Sequence, residues 1–242
     1  SYFGSREFNP ITGETQYLSL TPQQEIALGL QSVPELTQQF GGQYRNTEVQ
    51  ALIDEIGFRL VESTVAARTP WRFEFTVLND PNTVNAFALP GGQVFITVAL
   101  LDKLDTEDQV AGVLAHEIVH VLARHSAQRI AQSELTNGLV GAVAVASGDA
   151  GAAQTAAMIG QLVNMRYGRD DEIQSDTLGV CLMLEAGYDA AQLIDVMRVL
   201  AEAGGGSQPE FFSTHPDPGN RVERIRETID NAETRCAEIW QQ

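Results

Sequence analysis

The sequence predicts an α+β fold that is mostly helical and carries a small sheet of three or four strands. Apolar residues recur at helical spacing over most of the 242 residues, and the period drops to two only between Trp71 and Thr97. The length suits one sizeable domain with its own core. Residues 21–242 are expected to form it, preceded by an extended arm over residues 1–20, which is polar and turn-rich at Asn9-Pro10 and Thr12-Gly13.

Local signals place the elements. Thr21-Pro22-Gln23-Gln24 reads as a helix start: Thr21 caps, Pro22 suits the first helical position, and Gln24 completes a capping box. That helix should run towards Phe40, bend at Pro34 and end at Gly41-Gly42. Val49, Leu52, Ile53, Ile56 and Leu60 mark a second amphipathic helix. Trp71, Phe73, Phe75 and Val77 then alternate with polar residues as a half-buried strand. Val84 to Leu89 and Gln93 to Thr97 read as a hairpin across Pro90-Gly91-Gly92. From Leu101 onward the pattern is helical. Residues 134–161, rich in Ala and Gly, read equally as a loosely packed helix pair or a mobile lid, and Gly204-Gly205-Gly206 as a flexible loop. Asp217, with Pro218 just inside, should cap the last helix, whose apolar stripe is Val222, Ile225, Ile229, Ala232, Cys236 and Trp240.

Composition excludes several function classes. Apolar residues make up 43 % and charged residues 19 %, the profile of a folded chain. A net charge of −17 repels phosphate, so nucleic acid is not an expected partner and an anionic membrane surface is not bound through charge. No apolar run reaches the ~18 residues of a membrane span. No basic-then-apolar leader opens at Ser1, which is compatible with cleavage or a lipid anchor ahead of it. Cys181 and Cys236 fit no metal or redox spacing. They read either as buried thiols or as a disulfide that would imply an oxidising compartment.

The chemistry concentrates in one helix. Thr106 and Gln109 suggest another capping box, and the helix that follows carries His116-Glu117-Ile118-Val119-His120 amid apolar residues. Residues four apart share a helix face, so both imidazoles can reach one Zn²⁺, while Glu117 lies ~100° round the helix and is placed to act as general base on an activated water. Two satisfied core histidines are the bland alternative, but burying two His and a Glu without a metal is costly. A catalytic zinc needs a third protein ligand. The continuation with Gly and then His is excluded, because Ala123 and Ser126 occupy those positions; His125, on the opposite face from His116, is expected to face solvent. Glu172 and Asp176, four apart on a later helix, offer a carboxylate ligand and a hydrogen-bond acceptor for a ligand histidine. A solvated acidic face is the alternative for that pair.

The helix motif, the stretch 172–176, Ser213-Thr214-His215-Pro216 ahead of Arg221, and Asn85-Ala86-Phe87-Ala88-Leu89-Pro90-Gly91-Gly92 together resemble metallopeptidase family forty-eight, from about Trp71 to Arg226. The resemblance implies a gluzincin: a mostly helical domain with a small sheet beside the cleft, and one zinc per chain on His116, His120 and Glu172. It implies an endopeptidase acting on unfolded or misfolded polypeptide, of the periplasmic or outer-membrane-associated bacterial branch. A peptidase-like module that holds unfolded clients without cutting them is the competing reading. A structural zinc protein is disfavoured, since such sites usually have four Cys or His ligands. Gln93 to Thr97 would be a sheet edge where Val94, Phe95 and Ile96 pair with extended substrate. His215 has three readings: a packing loop histidine, an oxyanion donor with Tyr167 and Arg221 as rivals, or, as relatives imply, a regulatory fourth metal ligand. The resemblance to exported relatives also implies a disulfide tying the Glu172 helix to the last one.

Overall fold

A computed structural model describes residues 5–137, 148, 152–203, 210–216 and 219–240. Much of the expected lid or helix pair at 134–161, the Gly204–Gly206 loop and the Asp217-Pro218 cap lie outside them. The first element is a hairpin, β1 (Ser5–Asn9) and β2 (Glu14–Leu18), antiparallel from Ser5↔Leu18 to Asn9↔Glu14. The segment read as an extended arm therefore pairs with itself. Gly13, at φ +70°, donates to the Asn9 carbonyl at 2.9 Å and closes the turn. Polarity hid the strands because the inward side chains Asn9 and Gln16 are polar; their partners are described with the site.

Next come α1 (Pro22–Gln39), with the expected capping box at Thr21 and Gln24, and α2 (Thr47–Glu62). α1 runs through Pro34. A three-stranded sheet follows: β3 (Glu74–Leu78), β4 (Ala86–Ala88) and β5 (Gln93–Thr97), in the order β3-β5-β4. β4 and β5 form the expected antiparallel hairpin, but β3 lies parallel to β5, from Glu74↔Gln93 to Leu78↔Thr97. This corrects one expectation. Val94, Phe95 and Ile96 are in the central strand, buried on both sides, and β5 is no edge for a substrate. Gly92 is part of the reason: a Cβ there would meet the Arg72 carbonyl oxygen at 2.5 Å, so only glycine lets the approach to β3 run alongside.

The rest is helical: α3 (Val98–Leu101), α4 (Glu107–Leu122), α5 (His125–Asn137), α6 (Ala152–Val163), α7 (Arg169–Glu185), α8 (Gln192–Ala203), α9 (Glu210–Thr214), α10 (Arg221–Asp230) and α11 (Ala232–Trp240). α4 is the axis of the core, buried from Gln109 to Leu122 and packed against α2, α7, α8 and β4. α7 crosses α4 at Gly179, where a Cβ would lie 3.5 Å from His116 N. The expected last helix is two, broken at Asn231, and its described start is Arg221. Cys181 of α7 and Cys236 of α11 form a disulfide. Among the described residues no helix is long and apolar enough to cross a membrane.

Candidate active site

α4 starts at Thr106, whose hydroxyl accepts from the Gln109 amide at 3.2 Å, while the Gln109 side chain accepts from Asp105 N at 2.8 Å. From there the helical period puts His116 and His120 on one face, their Nε2 atoms 3.1 Å apart. α7 crosses them with Glu172 and Asp176, one turn apart. The Glu172 carboxylate reaches both rings, Oε2 at 3.4 Å from His116 Nε2 and Oε1 at 3.6 Å from His120 Nε2. His215, just beyond α9, brings Nδ1 to 3.2 Å from Glu172 Oε1 and 3.4 Å from His116 Nε2. All four side chains are buried, and their ligating atoms lie within 4.8 Å of one another.

Hydrogen bonds behind the rings decide what the cluster can hold. His116 Nδ1 lies 2.9 Å from Asp176 Oδ1, an acceptor, so Nδ1 carries the proton and Nε2 turns a lone pair inward. Arg221 grips that Asp176 through Nε to Oδ2 and Nη2 to Oδ1, each 2.7 Å, and Nη1 lies 3.3 Å from Glu172 Oε2. Asp176 thus accepts from the far nitrogen of His116. Arg221 is behind His116 on the carboxylates rather than in front of it. Inward-facing lone pairs this close call for a cation. Tetrahedral zinc with bonds of ~2.0–2.1 Å needs ligand atoms ~3.3–3.4 Å apart; neighbouring donors here lie 3.1 to 3.6 Å apart, and the whole set within 4.8 Å. The donor set of three imidazole nitrogens and one carboxylate oxygen fits that metal. A proton competes for the same lone pairs: burial pushes His116 down, but hydrogen bonds to Asp176 and Glu172 more than offset it and bring it to about 9.

Glu117 faces the cluster from the side. Among the described residues neither of its oxygens has a hydrogen-bond partner, and Oε1 lies 3.6 Å from His215 Nε2. Burial pushes its carboxyl up, against the pull of the His215 and His116 charges, which suits a group that must accept a proton. Tyr167 stacks on His120 with centroids 3.9 Å apart and an interplanar angle of 24°, and its hydroxyl meets Ser126 Oγ at 2.9 Å. Phe211 stacks on His215 at 4.4 Å.

One expectation is overturned. His125 does not face solvent: it is 2 % exposed, its Nδ1 is 2.9 Å from His120 Nδ1, and its Nε2 is 2.9 Å from Gln174 Oε1. The helical-wheel reading failed because α4 ends at Leu122 and the chain turns before α5 begins at His125. The N-terminal hairpin reaches the same corner: Asn9 Nδ2 donates to the Leu122 carbonyl at 2.9 Å and Gln16 Nε2 to the Ala123 carbonyl at 2.7 Å. No signal in the sequence pointed to Gln174, Asn9 or Gln16, whose contacts are long-range. Val94, Phe95 and Ile96 stay in the sheet core.

Comparison with known proteins agrees with this geometry. Residues 44–229 match the family described as Peptidase family M48. The mitochondrial metalloendopeptidase OMA1 of Schizosaccharomyces pombe is 29 % identical across 97 % of this chain and 69 % of its own length. That of Saccharomyces cerevisiae is 29 % identical across 99 % of this chain and 65 % of its own. The beta-barrel assembly-enhancing protease of Escherichia coli K12 is 34 % identical across 72 % of this chain, which spans only 37 % of that relative. With the match covering α2 to α10 and the whole donor cluster, the chain belongs to Peptidase family M48, and so to the metallopeptidase hydrolases.

Proposed function

We propose that the chain is a zinc-dependent endopeptidase that hydrolyses peptide bonds of unfolded or misfolded polypeptides, and that His215 holds it latent. The observation that supports both parts is the closed cluster: His116, His120 and Glu172 offer three donor atoms, and His215 Nδ1 takes the place of a fourth. A zinc ion bound there would supply a Lewis acid and bring the pKa of a water towards ~7. Glu117, with both oxygens unpartnered among the described residues, takes the proton as water oxygen attacks the carbonyl carbon, and returns it to the leaving amine nitrogen as the C–N bond breaks. Asp176 fixes the tautomer of His116, and Arg221 fixes Asp176. Tyr167 stays a neutral phenol, since burial pushes it up.

For water to enter, His215 has to leave. Among the described residues its segment is tied to the rest by Phe211 N donating to the Val84 carbonyl at 3.3 Å and Tyr167 N to the Thr214 carbonyl at 2.9 Å, and the ring itself by Nδ1 at 3.2 Å from Glu172 Oε1. β4, with one side unpaired among the described strands and packed on α4, is the edge on which extended substrate could pair by main-chain hydrogen bonds. That mode needs an unfolded segment and reads little sequence. The disulfide and the bacterial relatives support an oxidising compartment outside the cytoplasm, periplasmic or outer-membrane-associated; the mitochondrial relatives are the rival precedent.

Mass-spectrometric mapping of cuts in an unfolded protein tests the reading. Wild type and His215→Ala should cut at scattered, mildly apolar sites, and chelator or Glu117→Gln should abolish the cuts. Persistent cutting by Glu117→Gln refutes the base assignment. Client binding without cuts in either His215 form leaves the holding module in its place.

A further inference from the structure

We infer that His125 is a positioning residue for the metal ligand His120, and that the corner between α4 and α5 is built to place it. On a continued helix, five residues would carry His125 ~140° round the axis from His120 and out of reach. The chain instead turns at Arg124, the only non-glycine residue with positive φ (57°) among those described. That conformation is unfavourable for an arginine, and the surroundings hold it in place. Arg124 Nε and Nη2 donate to Glu25 Oε1 at 2.9 and 2.6 Å, Nη1 to Glu7 Oε2 at 2.6 Å, and Nη2 to the Leu20 carbonyl at 3.0 Å, with the guanidinium 5.6 Å from the Trp71 ring centroid. Asn9 and Gln16 hold the Leu122 and Ala123 carbonyls just before it.

The corner leaves one consistent arrangement of hydrogens. His120 turns Nε2 into the donor cluster, so its proton is on Nδ1 and is donated to His125 Nδ1. His125 must then carry its own proton on Nε2, which donates to Gln174 Oε1. The two ligand histidines are therefore held differently: His116 by a carboxylate gripped by arginine, His120 by a neutral imidazole backed by an amide.

This inference rests on the metal-binding reading, and zinc affinity measured by chelator competition, together with the melting point of the metal-free protein, separates the two. His125→Phe fills the space but leaves the buried His120 N–H without an acceptor, and should weaken zinc binding ~10–100-fold. His125→Asn keeps an oxygen near the Nδ1 place and should recover most of that loss, although it fills the core less well and should melt lower than the Phe variant. A role in packing alone predicts the same order for both measurements. Gln174→Leu, at a half-buried position, should weaken zinc in the same direction by less. If wild type binds no zinc, the metal reading itself fails. If wild type binds zinc and a folded His125→Phe binds it equally well, or His125→Asn binds it no better than His125→Phe, the role of His125 alone is refuted. Should His125→Phe fail to fold, unchanged zinc affinity in Gln174→Leu overturns the relay.

Discussion

Breaking the bridge between Cys181 and Cys236 should cost this protein a large part of its stability. The bridge closes a loop over a sequence separation of 55 residues. By the chain-entropy relation, freeing a loop of that length in the unfolded state costs ~4 kcal/mol at 25 °C. Against the ~5–15 kcal/mol that typically separates folded from unfolded domains, that is about a quarter or more. For a chain of this size it corresponds to a fall of ~8–16 °C in Tm. Cys181 is fully buried on α7 and Cys236 is half-buried on α11, so Cys236→Ser breaks the bond with the smaller disturbance to packing. The assay is a thermal melt of wild type with and without reductant, beside Cys236→Ser, with thiols counted under denaturing, non-reducing conditions. Two free thiols in the oxidised protein would refute the bridge. A shift below ~2 °C on complete reduction would refute the entropic reasoning.

The remaining expectations concern the site and its surroundings. Purified protein should carry one zinc per chain; Glu117→Gln should keep it while losing ~10²–10⁴-fold in turnover, and loss of zinc as ready as in His116→Ala would show that Glu117 is a ligand. His215→Ala should raise basal proteolysis with zinc retained, whereas a fall of ~10²–10³-fold would make His215 an oxyanion donor. Glu25 supplies a pH test. Burial pushes its carboxyl up to about 7 despite the charge and hydrogen bonds of Arg124, so the folded state keeps a proton that the unfolded chain has lost. Its contribution to stability is complete below the unfolded value near 4.5 and is lost as pH rises through 7. Denaturant titrations should show that slope in wild type and a flatter one in Glu25→Gln; equal slopes would assign the pH dependence elsewhere.

Sequence alone determined the chemistry that depends on local spacing. His116, Glu117 and His120 are ordered by one helical period, and Glu172 with Asp176 by another, so the donor types and their faces follow without any knowledge of the fold. The hairpin β4–β5 and the capped start of α1 were equally local. Tertiary structure decided what depends on contacts between distant segments. β3 joined the sheet parallel to β5 and made it central, because strand pairing is set by how hydrophobic layers stack and where Gly92 admits a neighbour, not by order along the chain. Burial of Asn9 and Gln16 depended on free carbonyls at the end of α4, more than a hundred residues away, so a polar stretch became an inward-facing hairpin. His125 reached His120 only because Arg124 is held in a left-handed turn by Glu7, Glu25 and Leu20; a periodicity argument assumes that the helix continues, and the corner breaks that assumption. His215 likewise had three open readings in the sequence, and its contact with Glu172 and His116 came from the fold, which ties α9 to the Val84 carbonyl and to Tyr167 N. Short-range order follows from backbone geometry that each residue carries with it, whereas these long-range contacts exist only once the core has closed around α4.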